Sequence, residues 1–268
     1  DVTVLHDDAF VISNENASSV ALEPSYFDKV QDYPTSSDDN KYLLSIQNVG
    51  ATLDEEGLVV PVTEDLRNGN GRAIKSIFWT KNRVNKFDNK VDSIFWIMKD
   101  NSLPPIIQIK SSILASALGS TLATKRTTAE YGADPNKLVF EPYANPFRLY
   151  PLRNDYIKFK DLFENKDVDC YILNTGSFLD KDISKSITLG LIEDIVSNNI
   201  KFKNIDGVND IMFANIENFN PDFANDKFKK LFIQRMQSRV DYINSLHGHD
   251  ILPEEASQSI LNVFSNLL

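Results

Sequence analysis

Cysteine is almost absent from this chain: Cys170 is the only one in 268 residues. A single thiol excludes an internal disulfide framework and any metal site built on cysteine pairs, and it fits a cytoplasmic protein. Histidine is scarce as well. His6 has no motif around it, and His247 and His249 flank a glycine in an expected surface loop. Neither a histidine metal box nor a Ser-His-Asp or Cys-His arrangement can be assembled from these. No apolar run approaches the roughly 18 residues that a membrane span requires, and no signal peptide opens the chain. Positive charge is also in deficit. A formal net charge of -10 disfavours nucleic acid and anionic membrane as partners, although a local cluster of Lys and Arg can still take an acidic nucleotide. A phosphate-binding loop of the form G-x-x-x-x-G-K-[ST] is missing too. The nearest imitation, Gly119 to Arg126, has Thr124 where the second Gly belongs and Arg126 in place of the hydroxyl.

What is present reads as globular: 42% hydrophobic and 25% charged residues, with length enough for one large or two ordinary domains. The start predicts a strand over 2–5, leading into Asp7 and Asp8. Segment 30–41, rich in Pro, Ser and Asp, predicts an exposed loop. Two apolar runs broken by Asp54-Glu55-Glu56-Gly57 predict a hairpin. Residues 74–79, 93–98 and 169–174 are near-continuous apolar runs of strand length, expected to be buried on both faces. Helical periodicity marks the Ile113–Leu118 stretch, the line Tyr156, Phe159, Leu162 and Phe163, the line Ile187, Leu191, Ile192 and Ile195, and a long amphipathic helix over 223–246. Pro142, Pro146 and Pro151 keep the stretch around them irregular. The balance predicts an α/β or α+β fold, a mixed sheet with packed helices.

A carboxylate at the end of an apolar strand, as at Asp7–Asp8, can hold Mg²⁺ or Mn²⁺ beside a nucleotide phosphate, though Asp also simply starts turns. Arg72 follows a Gly-Asn turn, with Arg67 and Lys75 nearby. An Arg so placed suits bidentate binding of carboxylate or phosphate, and a solvated loop charge is the plainer alternative.

Taken together, the order of these pieces resembles the C-terminal half of an ATP-type phosphoenolpyruvate carboxykinase. The family's Gly-Asp-Asp-Glu-His strand end, whose second Asp binds Mn²⁺, is similar to His6-Asp7-Asp8. Its Glu-Gly-Gly-Cys-Tyr-Ala-Lys segment is similar to Glu23 through Lys29, and its Glu-Asn-Thr-Arg to Gly69-Asn70-Gly71-Arg72. Leu103-Pro104-Pro105 matches the family's Leu-Pro-Pro, and Asn174-Thr175-Gly176 its Val-Asn-Thr-Gly strand end. Segment 141–152 is similar to a divergent carboxykinase-like bacterial group. One departure reverses a charge: Asp182 stands where the family's Gly-Lys-Arg-Ile-Ser has Arg.

The resemblance is clearest over 1–200, and 201–268 is expected to be a helical C-terminal extension of a single domain spanning 1–268. It implies a carboxykinase C-terminal-domain fold and a phosphoryl-transfer, carboxy-lyase activity on oxaloacetate or a similar small carboxylic acid. ATP and Mn²⁺ or Mg²⁺ are the implied cofactors. Asp8 would hold the metal, with Asp7 beside it; Lys29 and Arg72 would face phosphate and substrate. Asn174, Thr175, Gly176, Ile183, Ser184 and Thr188 would border the nucleotide. The phosphate loop would lie N-terminal to this chain, in another part of the same protein, leaving the isolated chain inactive. A non-catalytic nucleotide-binding module and a plain structural domain stay open beside the enzyme.

Overall fold

The Asp-Glu-Glu-Gly turn is held by its own first side chain. Asp54 Oδ1 accepts from the amides of Glu56 at 3.1 Å and Leu58 at 2.8 Å. Gly57 takes a φ of 78°, which glycine adopts without a Cβ clash. This hairpin belongs to the first of two compact units into which the chain divides, Asp1–Lys90 with Thr128–Tyr131; the second is Val91–Thr127 with Gly132–Leu268. A single domain over 1–268 is the expectation from sequence. The computed structural model describes residues 5–6, 9–22, 26–29, 46–47, 50–61, 72–75, 84–125, 138–146 and 148–268. The strand expected over 2–5 lies outside these residues except for Leu5, as do the loop expected over 30–41 and the 76–79 part of the run over 74–79.

The first unit is all β among its described residues. Its strands are β1 (Phe10–Ile12), β2 (Ser19–Ala21), β3 (Tyr26–Lys29), β4 (Ile46–Gln47), β5 (Ala51–Leu53), β6 (Val59–Pro61), β7 (Arg72–Lys75) and β8 (Lys86–Phe87). They form two small antiparallel sheets, ordered β1-β2-β8 and β3-β7-β4, and the β5–β6 hairpin.

The second unit is α/β. It contains β9 (Ser93–Met98), β10 (Ile106–Ile109), α1 (Ser112–Gly119), β11 (Ala123–Lys125), β12 (Leu138–Phe140), α2 (Leu152–Asn165), β13 (Asp169–Asn174), β14 (Ser177–Phe178), β15 (Lys181–Asp182), α3 (Lys185–Val196), β16 (Phe202–Ile205), β17 (Val208–Ala214), α4 (Asp226–Ser245) and α5 (Glu254–Phe264). A five-stranded sheet runs in the order β16-β17-β10-β13-β9. Its β9–β13 pair is parallel and the other pairs are antiparallel, so the sheet is mixed.

Strand alternation sends Trp96, Met98, Ile107, Ile172 and Phe213 to one face, where they pack with Leu118, Tyr156, Phe232, Met236 and Ile260 of the helices. The opposite face puts Ile106, Tyr171 and Leu173 against Leu191 of α3. Burial of these two faces supplies the main driving force for this unit. Two expectations need correction. β9 is not buried on both faces: it ends the sheet, and Ile97 is 59% exposed because one face of an edge strand lacks a covering helix there. The tail is not purely helical either. Residues 202–214 make the β16–β17 hairpin, turning at Asp206 and Gly207 with Gly207 at φ 86°, and supply two strands of the sheet. Among the described residues no helix is long and apolar enough to cross a membrane.

Candidate functional site

Parallel strands end side by side where β9 and β13 stop, with Met98 paired to Asn174. In open, mostly parallel sheets ligands lie outside the carboxyl ends of the strands; here a single parallel pair ends this way at the sheet's edge. Two loops leave these ends: Lys99 to Pro105 after β9, and Thr175–Gly176 after β13, which leads into the β14–β15 hairpin.

Asn174 ties these loops together. It is fully buried, and its amide nitrogen is ringed by the carbonyls of Asp100 (2.7 Å), Leu103 (2.6 Å) and Ser177 (2.8 Å), which share its two protons. Its Oδ1 accepts from the amides of Gly176 at 3.1 Å and Asp100 at 3.3 Å. The backbone at Gly176 comes close to its neighbour: a Cβ there would sit 3.2 Å from Lys99 Cβ, a tight contact to which the Lys99 side chain would have to give way. Its carbonyl accepts from the Ile183 amide at 2.9 Å. The β14–β15 hairpin then sets Asp182, exposed, in register with Ser177.

Beneath the turn lies an ion pair that sequence reasoning misses. Arg239 Nη2 donates to Asp100 Oδ2 at 2.7 Å, and both side chains are fully buried. Asp100 Oδ1 accepts from the Ser102 amide at 3.0 Å and hydroxyl at 2.7 Å. Arg235, one turn earlier on α4, donates to Asn101 Oδ1 at 3.3 Å. Burial pushes the Asp100 carboxyl up, but Arg239, the two Ser102 bonds and Arg235 outweigh it and hold the group below its ordinary value. One signal in the sequence points to this pair: Arg239 lies in line with the apolar stripe Phe232, Met236, Val240 and Ile243, and a cation on a buried stripe needs a buried counter-charge.

The remaining candidates fall as follows. Ile183 is buried in the larger core. Ser184 caps α3, its Oγ accepting from the Ile187 amide at 3.3 Å. Thr188, half-buried, donates from Oγ1 to the Ser184 carbonyl at 3.4 Å. In the first unit the antiparallel register of β3 and β7 makes Lys29 the direct partner of Arg72, with Gln47 opposite Arg72 on β4. Asp7 and Asp8 lie outside the described residues, and so do Arg67, Arg126 and the turn before Arg72. Among the described residues no group of three or more His, Cys, Asp or Glu side chains is placed to hold a metal ion. A depression of about 270 Å³ is lined by Lys203, Asn204, Asp206 and Asn220 among others, and none of the turn residues borders it.

No protein-family model matches the chain, and no curated protein matches it in sequence.

Proposed function

We propose that the chain is a nucleotide-binding, carboxykinase-like domain of a protein that transfers a phosphoryl group between ATP and oxaloacetate or a similar small carboxylic acid. The observation that carries this reading is the register of Lys29 opposite Arg72. Like charges directly opposite one another destabilise a bare ribbon, and an anionic ligand between them removes that cost. Phosphate and carboxylate are the anions that such a pair suits. In the second unit the Asn174–Gly176 turn, at the ends of two parallel strands, supports the nucleotide part of the reading. Asp8, with Asp7 beside it, would hold Mn²⁺ or Mg²⁺ and so neutralise charge on the transferring group.

A nucleotide-binding module without catalysis is the second reading, and Asp182 favours it. An exposed carboxylate on the hairpin that leaves the turn repels phosphates. Titration of the chain with ATP, with and without Mn²⁺, tests both readings. Weak saturable binding without turnover is expected, weakened further by Lys29→Ala with Arg72→Ala. Asp182→Arg should tighten it about three- to tenfold, the effect of a two-charge change at a solvated site. Failure of ATP to saturate overturns the nucleotide reading; unchanged affinity in Asp182→Arg leaves the turn without a part in nucleotide binding.

A further inference from the structure

Asn174 and Asp100 grip each other twice through backbone and side chain, so whatever fixes Asp100 also fixes the turn. Asp100 is fixed from α4. Arg239 holds its carboxylate at 2.7 Å and donates a further bond from Nη1 to the Arg235 carbonyl at 3.2 Å. A second route runs beside the first: Arg235 reaches Asn101 Oδ1, and the Asn101 carbonyl accepts from the Leu179 amide at 2.8 Å. Leu179 lies between β14 and β15, the hairpin that carries Asp182. Both routes begin on one helix and end on the two sides of Gly176.

The arrangement is poorly explained by stability alone. A buried ion pair gains little over well-packed apolar side chains, because desolvating both charges offsets their attraction. Arg239 Nε is moreover buried without a hydrogen-bond partner, a loss that aiming Nη2 at Asp100 imposes, and Arg235 Nε faces Asp100 Oδ1 only at ion-pair distance, 3.9 Å. What such a pair does supply is a fixed geometry. We propose that Asp100 and Arg239 are positioning residues that hold the Asn174–Gly176 turn, and with it the hairpin behind it, in the form that receives nucleotide. The inference rests on the nucleotide reading above for its ligand, and on the hydrogen-bond chain for the lock itself.

The double variant Asp100→Asn, Arg239→Met tests it in the 268-residue chain. It removes both charges of the buried pair together, leaves the partly exposed Arg235, 3.9 Å from Asp100, as the one cation that loses this carboxylate, and keeps an oxygen for Ser102. Amide hydrogen exchange at Gly176 is compared with exchange in the middle of β13, and MgATP is titrated into both proteins. The expected result is exchange at Gly176 about tenfold faster with β13 unchanged, the sign of local rather than global opening, and a roughly tenfold weaker ATP affinity. Equal protection at Gly176 in the folded variant and the original overturns the lock. ATP that fails to bind the original chain overturns the nucleotide role, while the exchange comparison still decides the lock. If the double variant does not fold, Asp100→Glu carries the same comparison, since it keeps the charges and displaces the backbone that Asn174 grips.

Discussion

Arg239 heads the fully buried large side chains among the described residues, and its energetics differ from those of the apolar residues around it. Removing it alone leaves the Asp100 carboxylate in a dry interior with only the more distant Arg235, at 3.9 Å, as counter-charge. Arg239→Met should therefore cost about 3–5 kcal/mol of unfolding free energy. Removing both charges should cost much less than the sum of the single changes, because the two residues share one interaction. Urea unfolding of the two single variants and the double variant checks this, and additive losses would refute the coupling. The sequence carried half of the pair. Arg239 betrays itself by its place on an apolar stripe, but nothing local to Asp100 says that its side chain turns inward. That direction is set by Arg239, on a helix more than a hundred residues away in the chain, which reaches both Asp100 and Met98.

Helix α3 shows the same split at the scale of the element. Its existence follows from the spacing of Ile187, Leu191 and Ile195, and its start from Ser184, whose hydroxyl occupies an otherwise unpaired amide of the first turn. Ser184→Ala should cost about 1 kcal/mol of stability, and Ser184→Asn should recover most of it. Thermal unfolding measures both. If instead Ser184→Ala leaves stability unchanged and weakens only ATP binding, the hydroxyl belongs to the ligand rather than the cap. Strands β9 and β13 and helices α1 to α4 were legible because each is a single run with one clear period. The β16–β17 hairpin was not. Its strands alternate weakly, with Lys203, Asn204, Asn209 and Asp210 exposed and interleaved among the apolar residues, and a longer amphipathic helix follows. The signal that could have found it is the Asp206-Gly207 pair, the strongest short hairpin turn. The candidate site was legible as separate pieces. Asn174, Thr175 and Gly176 could be placed at a strand end, but the tie from Asn174 to the Leu103 carbonyl spans distant loops and follows only from the parallel pairing of β9 and β13.

For the whole second unit, acid sensitivity follows from how its carboxylates are held. Asp100 is kept below its ordinary value by Arg239, Ser102 and Arg235 against its burial. Asp250 is lowered by the Leu152 amide and Arg148, and Glu255 by Lys160 and Tyr156. Asp155 runs the other way: burial raises it against the Tyr150 bond, Arg148 and Lys158, and its Oδ2 is buried without a hydrogen-bond partner. Unfolding returns all four to ordinary values near 4. The three lowered groups therefore stabilise the fold above that range, and this contribution disappears as pH falls through their folded values. The Asp155 carboxylate destabilises the fold above its raised value, and that cost vanishes as the pH falls and the group takes up its proton. Three contributions against one predict a net loss in acid. The urea midpoint should hold between about pH 7 and 5 and fall below about pH 4. Trp96 packs in the core of this unit, so its emission in a Trp79→Phe background follows this transition apart from the first unit. Asp155→Asn separates the opposing term. It keeps an acceptor for the Tyr150 hydroxyl and removes the buried charge, so it should raise the midpoint at pH 7 and leave it unchanged at pH 3, where Asp155 is already protonated. A lower midpoint at pH 7 would mean that the carboxylate is stabilised by its Arg148 and Lys158 neighbours more than burial opposes it.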